Sequence, residues 1–150
     1  MRKKIALAIT AVAVATSLTA CSGSGVDAPT RTINQVTDGV EANLASEGNL
    51  IYLRNITVAV NEAGDATLVG TIVNQKPTKE ALLALAINQM QIKLSAIPVA
   101  QNKPVIFSGE SANAIATIPN SGLVAGQRTN VSFFFGLAGT VSVNALVVNA

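Results

Sequence analysis

The sequence predicts an all-β domain, an antiparallel sandwich. Three observations carry that expectation. Short runs of apolar residues alternate with polar ones, and Gly, Pro and Asn punctuate the chain between the runs. No strand pattern alternates with an amphipathic helix in the manner of βαβ units. The domain is expected over residues 31–150, long enough for one core that buries roughly two-thirds of the unfolded surface.

Each element follows from its local pattern. In residues 31–49 the apolar Ile33, Val36, Val40 and Leu44 stand three and four apart, which suits a helix, but Thr32, Thr37 and Gly39 weaken one. That stretch reads as a strand or an irregular lead-in. Ile56, Val58 and Val60 alternate with Thr57 and Ala59, the period of a strand with one buried face. Asn61-Glu62-Ala63-Gly64-Asp65 is a turn, Ala66 to Val73 a second strand, and Asn74-Gln75-Lys76-Pro77 closes it. The segment from Glu80 to Ile87 is ambiguous. Its Leu and Ala favour a helix, yet every position from Ala81 to Ile87 is apolar, so periodicity alone does not separate helix from buried strand. Met90 to Leu94, Val105 to Ser108 and Ala114 to Ile118 are further β runs. The last two strands are the clearest. Val131, Phe133 and Phe135 share a face, Ser132 and Phe134 take the other, Gly136–Gly139 turns the chain, and Val141, Val143, Ala145 and Val147 alternate with Ser142 and Asn144.

The first thirty residues have a different composition. Arg2, Lys3 and Lys4 precede an apolar run from Ile5 to Ala15, interrupted only by Thr10, and Ser17-Leu18-Thr19-Ala20-Cys21 follows. This is the three-part layout of an export signal. Its apolar run is about half of the ~20 residues that a stable membrane-spanning helix needs. Leu18-Thr19-Ala20-Cys21 resembles a bacterial lipobox, in which the cysteine sulfur receives a diacylglyceryl group and cleavage makes that cysteine the new N-terminus. The resemblance implies a signal peptide at 1–20, a lipidated Cys21, and a Ser/Gly-rich tether over 21–30. The chain would then be exported and held at the outer face of the cell membrane, because two acyl chains anchor stably where one binds reversibly. The alternative is an ordinary export signal that leaves Cys21 a free thiol.

Charge and residue usage exclude several function classes. The chain has 10 Lys+Arg against 8 Asp+Glu; without residues 1–20 it has 7 against 8, so the basic pI of 8.9 belongs to the precursor. No basic stripe interleaved with aromatics is present, and nucleic acid is not an expected partner. With no histidine and a single cysteine, neither a Ser-His-Asp nor a Cys-His triad can be assembled, and no disulfide can form within the chain. Glu62 and Asp65 fall in a turn, and Asp27, Asp38, Glu41 and Glu47 lie near the start of the domain, where solvation explains them better than acid–base catalysis. No glycine-rich phosphate loop joins a strand to a helix. No enzyme activity, resident metal or cofactor is expected.

Two residues are candidates for a contact surface. Phe134 faces away from Phe133 and Phe135, so it is either covered by a neighbouring strand or loop, which is the favoured arrangement, or part of an exposed patch. Arg54, inside LRNITV, either pairs with a carboxylate or faces solvent, and the solvent-facing arrangement is favoured.

GNLIYLRNITVAV, a polar turn and TLVGTIVNQ, together with the closing GLVAGQRTNVSFFFGLAGTVSVNALVV, resemble small actinobacterial lipoproteins of the LpqE kind. The closing run is also similar to the end of the periplasmic copper-chaperone PCu(A)C family. The resemblance covers roughly Thr30 to Val148, implies a Greek-key sandwich of the cupredoxin-like or immunoglobulin-like kind, and favours a strand for Glu80–Ile87. In the copper chaperones activity rests on His and Met side chains, including a late His-x-Met pair. Here SGESANAIATIPNSG, Ser108 to Gly122, has no such pair, and Met90 is the only Met after the signal. One thioether does not make a Cu(I) site. Two function classes follow: a non-catalytic envelope lipoprotein whose domain binds a protein or wall component, or a carrier of metal or a small ligand.

Overall fold

A computed structural model describes residues 38–150. Strand β1 (Val40–Ser46) and strand β2 (Asn49–Val60) form a hairpin in which Ser46 pairs with Asn49. Its two loop residues, Glu47 and Gly48, both have positive φ, 49° and 75°, as a two-residue turn matched to strand twist requires. Val40, Ala42 and Leu44 pack partly buried against the core, so the later part of the uncertain lead-in is a strand; Ile33 and Val36 lie outside the described residues. The Asn61–Asp65 turn forms as expected and leads into β3 (Ala66–Asn74), antiparallel to β2. A bulge between Arg54 and Thr57 interrupts this ladder. Asn55 takes a left-handed φ of 53° there, and Gly70 faces the bulge.

The ambiguous apolar segment is strand β4 (Ala81–Ile87). Its inward residues are Leu82, Leu85 and Ile87, because a bulge between Leu82 and Ala84 inserts an extra position and turns Leu83 outward. An inward spacing of three followed by two therefore comes from a bulged strand, and it obscured the period of two. Asn88 and Gln89, with φ of 50° and 65°, make a second tight hairpin into β5 (Met90–Ile92). Three two-residue strands follow: β6 (Ile97–Pro98) pairs with β4, while β7 (Val105–Ile106) and β8 (Thr117–Ile118) pair with β3. The long pair β9 (Arg128–Phe135) and β10 (Thr140–Asn149) closes the domain.

The strands run in the order β5-β4-β9-β10-β2-β3-β7, with β1 on β2, β6 on β4 and β8 on β3. Strand β10 joins the two halves. Thr140 to Leu146 pair antiparallel with β9, and Val147 to Asn149 pair parallel with β2. The ladder is thus not antiparallel throughout, which corrects the sequence-based expectation at one junction. A parallel pair needs a long crossover, and here the chain from β3 to β9 supplies it. One apolar core lies between the halves, with Leu53, Ile56 and Leu68 from one side and Leu85, Val131 and Phe133 from the other, all fully buried. Each such side chain contributes about 1.5–3 kcal/mol. All regular structure among the described residues is β.

Candidate functional site

One end of the sandwich is organised by three buried polar side chains. Asn74, the last residue of β3, is fully buried where a loop replaces the ladder, so its amide must find partners nearby. Its Nδ2 donates to Asn49 Oδ1 (3.3 Å), Thr78 O (3.0 Å) and Val99 O (3.3 Å), and its Oδ1 accepts from Lys76 N (3.0 Å). Asn49 Nδ2 in turn donates to Glu80 Oε2 at 3.2 Å. Glu80 is 7% exposed and accepts from the backbone N–H groups of Ala81 (2.8 Å), Gly136 (2.9 Å), Leu137 (3.1 Å) and Ala138 (2.7 Å). Three successive amides converging on one point form an anion-binding concavity. In this chain Glu80 fills that concavity, so those donors hold the β9–β10 turn to the start of β4 and are not open to a ligand.

Beside this network the outer surface is apolar. Leu83 (50% exposed), Phe134 (36%) and Leu137 (54%) project from it. Phe134 pairs across the ladder with Ala84, and a Cβ built on Gly136 would lie 3.7 Å from Leu83 Cδ1, so Leu83 reaches over the turn that carries Leu137. The covered arrangement favoured from sequence is thus corrected, because Phe134 is exposed on the same outer surface as Leu83.

Arg54 lies in the other half, on β2, and does not join Phe134. The solvent-facing arrangement favoured from sequence is corrected. The guanidinium lies 4.4 Å from the Tyr52 ring centroid, its Nη1 donates to Asn43 Oδ1 at 2.8 Å and Leu53 O at 2.8 Å, and its Nε is 3.6 Å from Glu41 Oε2. The antiparallel register of β1 on β2 produces this, since Asn43 is opposite Tyr52 and Ala42 opposite Leu53. Leu18, Thr19, Ala20 and Cys21 lie outside the described residues.

Two open grooves indent the domain. One, of about 550 Å³, is lined by Val60, Asn61, Glu62 and the Leu123–Ala125 segment; the other, of about 420 Å³, by Ile97, Pro98, Lys103, Pro104 and Asn113. Neither brings together a nucleophile and a base. In the Ser108–Gly122 segment Asn113 is spent on backbone, donating to Pro104 O (2.9 Å) and accepting from Ile106 N (2.8 Å), while Ile115 is 76% exposed. Among the described residues no three His, Cys, Asp or Glu side chains are grouped as metal ligands. Met90, on β5 at the sheet edge, packs against the core. Soft-metal coordination by imidazole and several thioethers does not fit this donor set.

Solved structures share the fold. The domain is similar to an apo PCuAC domain from PmoF1, with a TM-score of 0.60 and 13% identity over 74% of this chain and 100% of that one. It is also similar to a copper-bound PCuAC domain from PmoF2, with a TM-score of 0.54 and 15% identity over 73% and 99%. The apo form of that PmoF2 domain gives 0.54 at 14% identity over 72% and 95%. These likenesses show that the chain shares the all-β fold of those PCuAC domains. No protein-family model and no curated protein matches the sequence.

The residues that organise the site were not legible beforehand. Glu80 sits at the start of an apolar run, a position that reads as a solvated strand end, and Asn74 reads as a turn residue. Their partners are 58 and 25 positions away, so only tertiary contact reveals them. Leu83 and Leu137 carried a weak signal, each being a large apolar residue next to an inward-facing or turn position.

Proposed function

We propose that the chain is an exported lipoprotein, anchored at the outer face of the cell membrane through acylated Cys21. Its β-sandwich is a non-catalytic interaction module for an envelope protein or wall component. The observation that carries this reading is the lipobox-like Leu18-Thr19-Ala20-Cys21 behind a basic and apolar leader. Three features agree with it. The resemblance to LpqE-like lipoproteins points the same way, the polar cluster of the domain is consumed in internal hydrogen bonds, and apolar side chains stand exposed beside that cluster. Intact-mass analysis of the membrane fraction should show a chain that begins at Cys21 and carries acyl groups. A soluble chain with an unmodified thiol would refute the anchor, and mild crosslinking in cells would identify the bound component.

A second reading is favoured by one observation, the similarity to a PCuAC domain that is itself copper-bound. In that reading the domain carries a metal or small ligand. Metal analysis of the Cys21→Ser chain decides between the two. Stoichiometric copper would establish the carrier, and its absence with retained crosslinking to an envelope component would establish the interaction module.

A further inference from the structure

The Leu83–Phe134–Leu137 patch has a charged border that its neighbours lack. Lys79 precedes Glu80, whose carboxylate holds the turn carrying Leu137. Lys93 follows Ile92, which pairs with Leu85, so it comes level with Ala84, the partner of Phe134. With Ile92 buried and Lys93 exposed, Lys93 is on the same outer face as Phe134. Lys76 donates its backbone N–H to Asn74 within the same polar network, and Lys103 follows Asn102, whose N–H donates to Asn74 O at 2.8 Å. All four lysines of the described residues therefore border this end and flank of the sandwich, and all four are exposed. The exposed acid there is Glu47, in the hairpin turn whose Gly48 O accepts from Thr78 Oγ1. Glu80, the other acid, is buried and bonded. Glu62 and Asp65 sit in the β2–β3 turn at the opposite ends of those strands.

We propose that this lysine-bordered apolar patch docks onto an anionic phospholipid bilayer, so that the domain lies on the membrane in one orientation. Charge complementarity selects this occupant. Cations beside apolar side chains suit an interface where headgroups are negative and acyl chains lie just beneath. The 17 residues from Cys21 to Thr37 span at most about 60 Å, enough to let either end of the domain face the bilayer. Tether length therefore leaves orientation open, and the patch sets it. Glu80 contributes by fixing the turn, which keeps Leu137 projecting instead of folding back. The proposal deepens the lipoprotein reading and rests on it for delivery of the chain to a membrane.

The chain contains no tryptophan, so a single introduced indole is an unambiguous reporter. The full chain carrying Leu137→Trp, or Val124→Trp as the reference near Asn61 and Glu62, is bound to phosphatidylglycerol–phosphatidylcholine vesicles with brominated acyl chains. Docking predicts blue-shifted emission at position 137, quenched several-fold more than at position 124. Adding Lys79→Glu and Lys93→Glu should lower the docked-to-undocked ratio roughly tenfold or more, as should replacing the anionic lipid. Equal quenching at both positions would overturn the proposal. So would a blue shift at 137 without bromine quenching that grows with protein density, because a second copy would then cover the patch. Phe134→Trp, on a different element, repeats the measurement should Leu137→Trp lower the urea midpoint. Intact mass of the same preparation reports Cys21 acylation separately, so a failed anchor and a failed docking give different results.

Discussion

Two charged groups in this domain face opposite demands. Glu80 is buried and surrounded by donors from three separate parts of the chain: Asn49, its own strand start at Ala81, and the Gly136–Ala138 turn. Arg54 is about one-third exposed and pairs with the still more exposed Glu41 at 3.6 Å. Both have many polar contacts on paper. Their energetic weights differ because burial, and not the number of contacts, decides what is lost when a partner is removed. Water replaces a lost partner at Arg54, whereas the donors around Glu80 have little water to turn to.

The sharpest way to break that contrast is Glu80→Ala. It strips the acceptor from a buried Asn49 and from the turn amides, and stability should fall by about 3–4 kcal/mol, measured by urea denaturation. A loss under about 1 kcal/mol would show that the turn holds itself. Next in size is Gly70→Ala, which tests whether the backbone beneath Arg54 matters more than the ion pair above it. The new Cβ would stand 2.5 Å from Ile56 Cδ1 and 3.0 Å from Asn55 O, at a φ of 140° that side chains rarely adopt. A destabilisation of about 2 kcal/mol is expected, with the same assay.

Thr129 is the exception that sharpens the rule. Its hydroxyl is buried on β9, 4% exposed, and makes no hydrogen bond. Thr129→Val, nearly the same shape, should therefore stabilise the domain by about 1 kcal/mol, seen as a raised urea midpoint with an unchanged slope. No gain, or a loss, would point to a partner for that hydroxyl. The smallest effect belongs to Glu41→Gln. Removing an exposed, salt-screened ion pair should change stability by less than about 0.5 kcal/mol, and adding salt to the parent chain should mimic it.

Much of the architecture was legible because sheet periodicity is written locally. Val131, Phe133 and Phe135 on one face, with Phe134 on the other, is a pattern that a strand in water can satisfy in only one way. The same logic located the Asn61–Asp65 turn and the alternation in β10. It failed where the period itself was broken. The bulge at Leu82–Ala84 put inward residues three apart, and an all-apolar β4 then looked as much like a helix as a strand. The parallel register of Val147–Asn149 on β2 left no local mark either, since the final valines alternate identically whichever way their neighbour runs.

Sequence alone therefore determined the class of the domain, the identity of most inward-facing residues, and the lack of histidine and of a second cysteine from which familiar catalytic or soft-metal sites are built. Those properties depend on residue type and near-neighbour spacing, which the chain carries explicitly. Tertiary structure alone decided that Glu80 would be a buried clamp, that Arg54 would stack on Tyr52 beside Glu41, and that Leu83, Phe134 and Leu137 would stand exposed beside that clamp. Each of those outcomes joins residues that are distant or ambiguous in sequence. The contacts exist only once strand order and bulge positions have set which backbone donors, side chains and charges share an end of the sandwich.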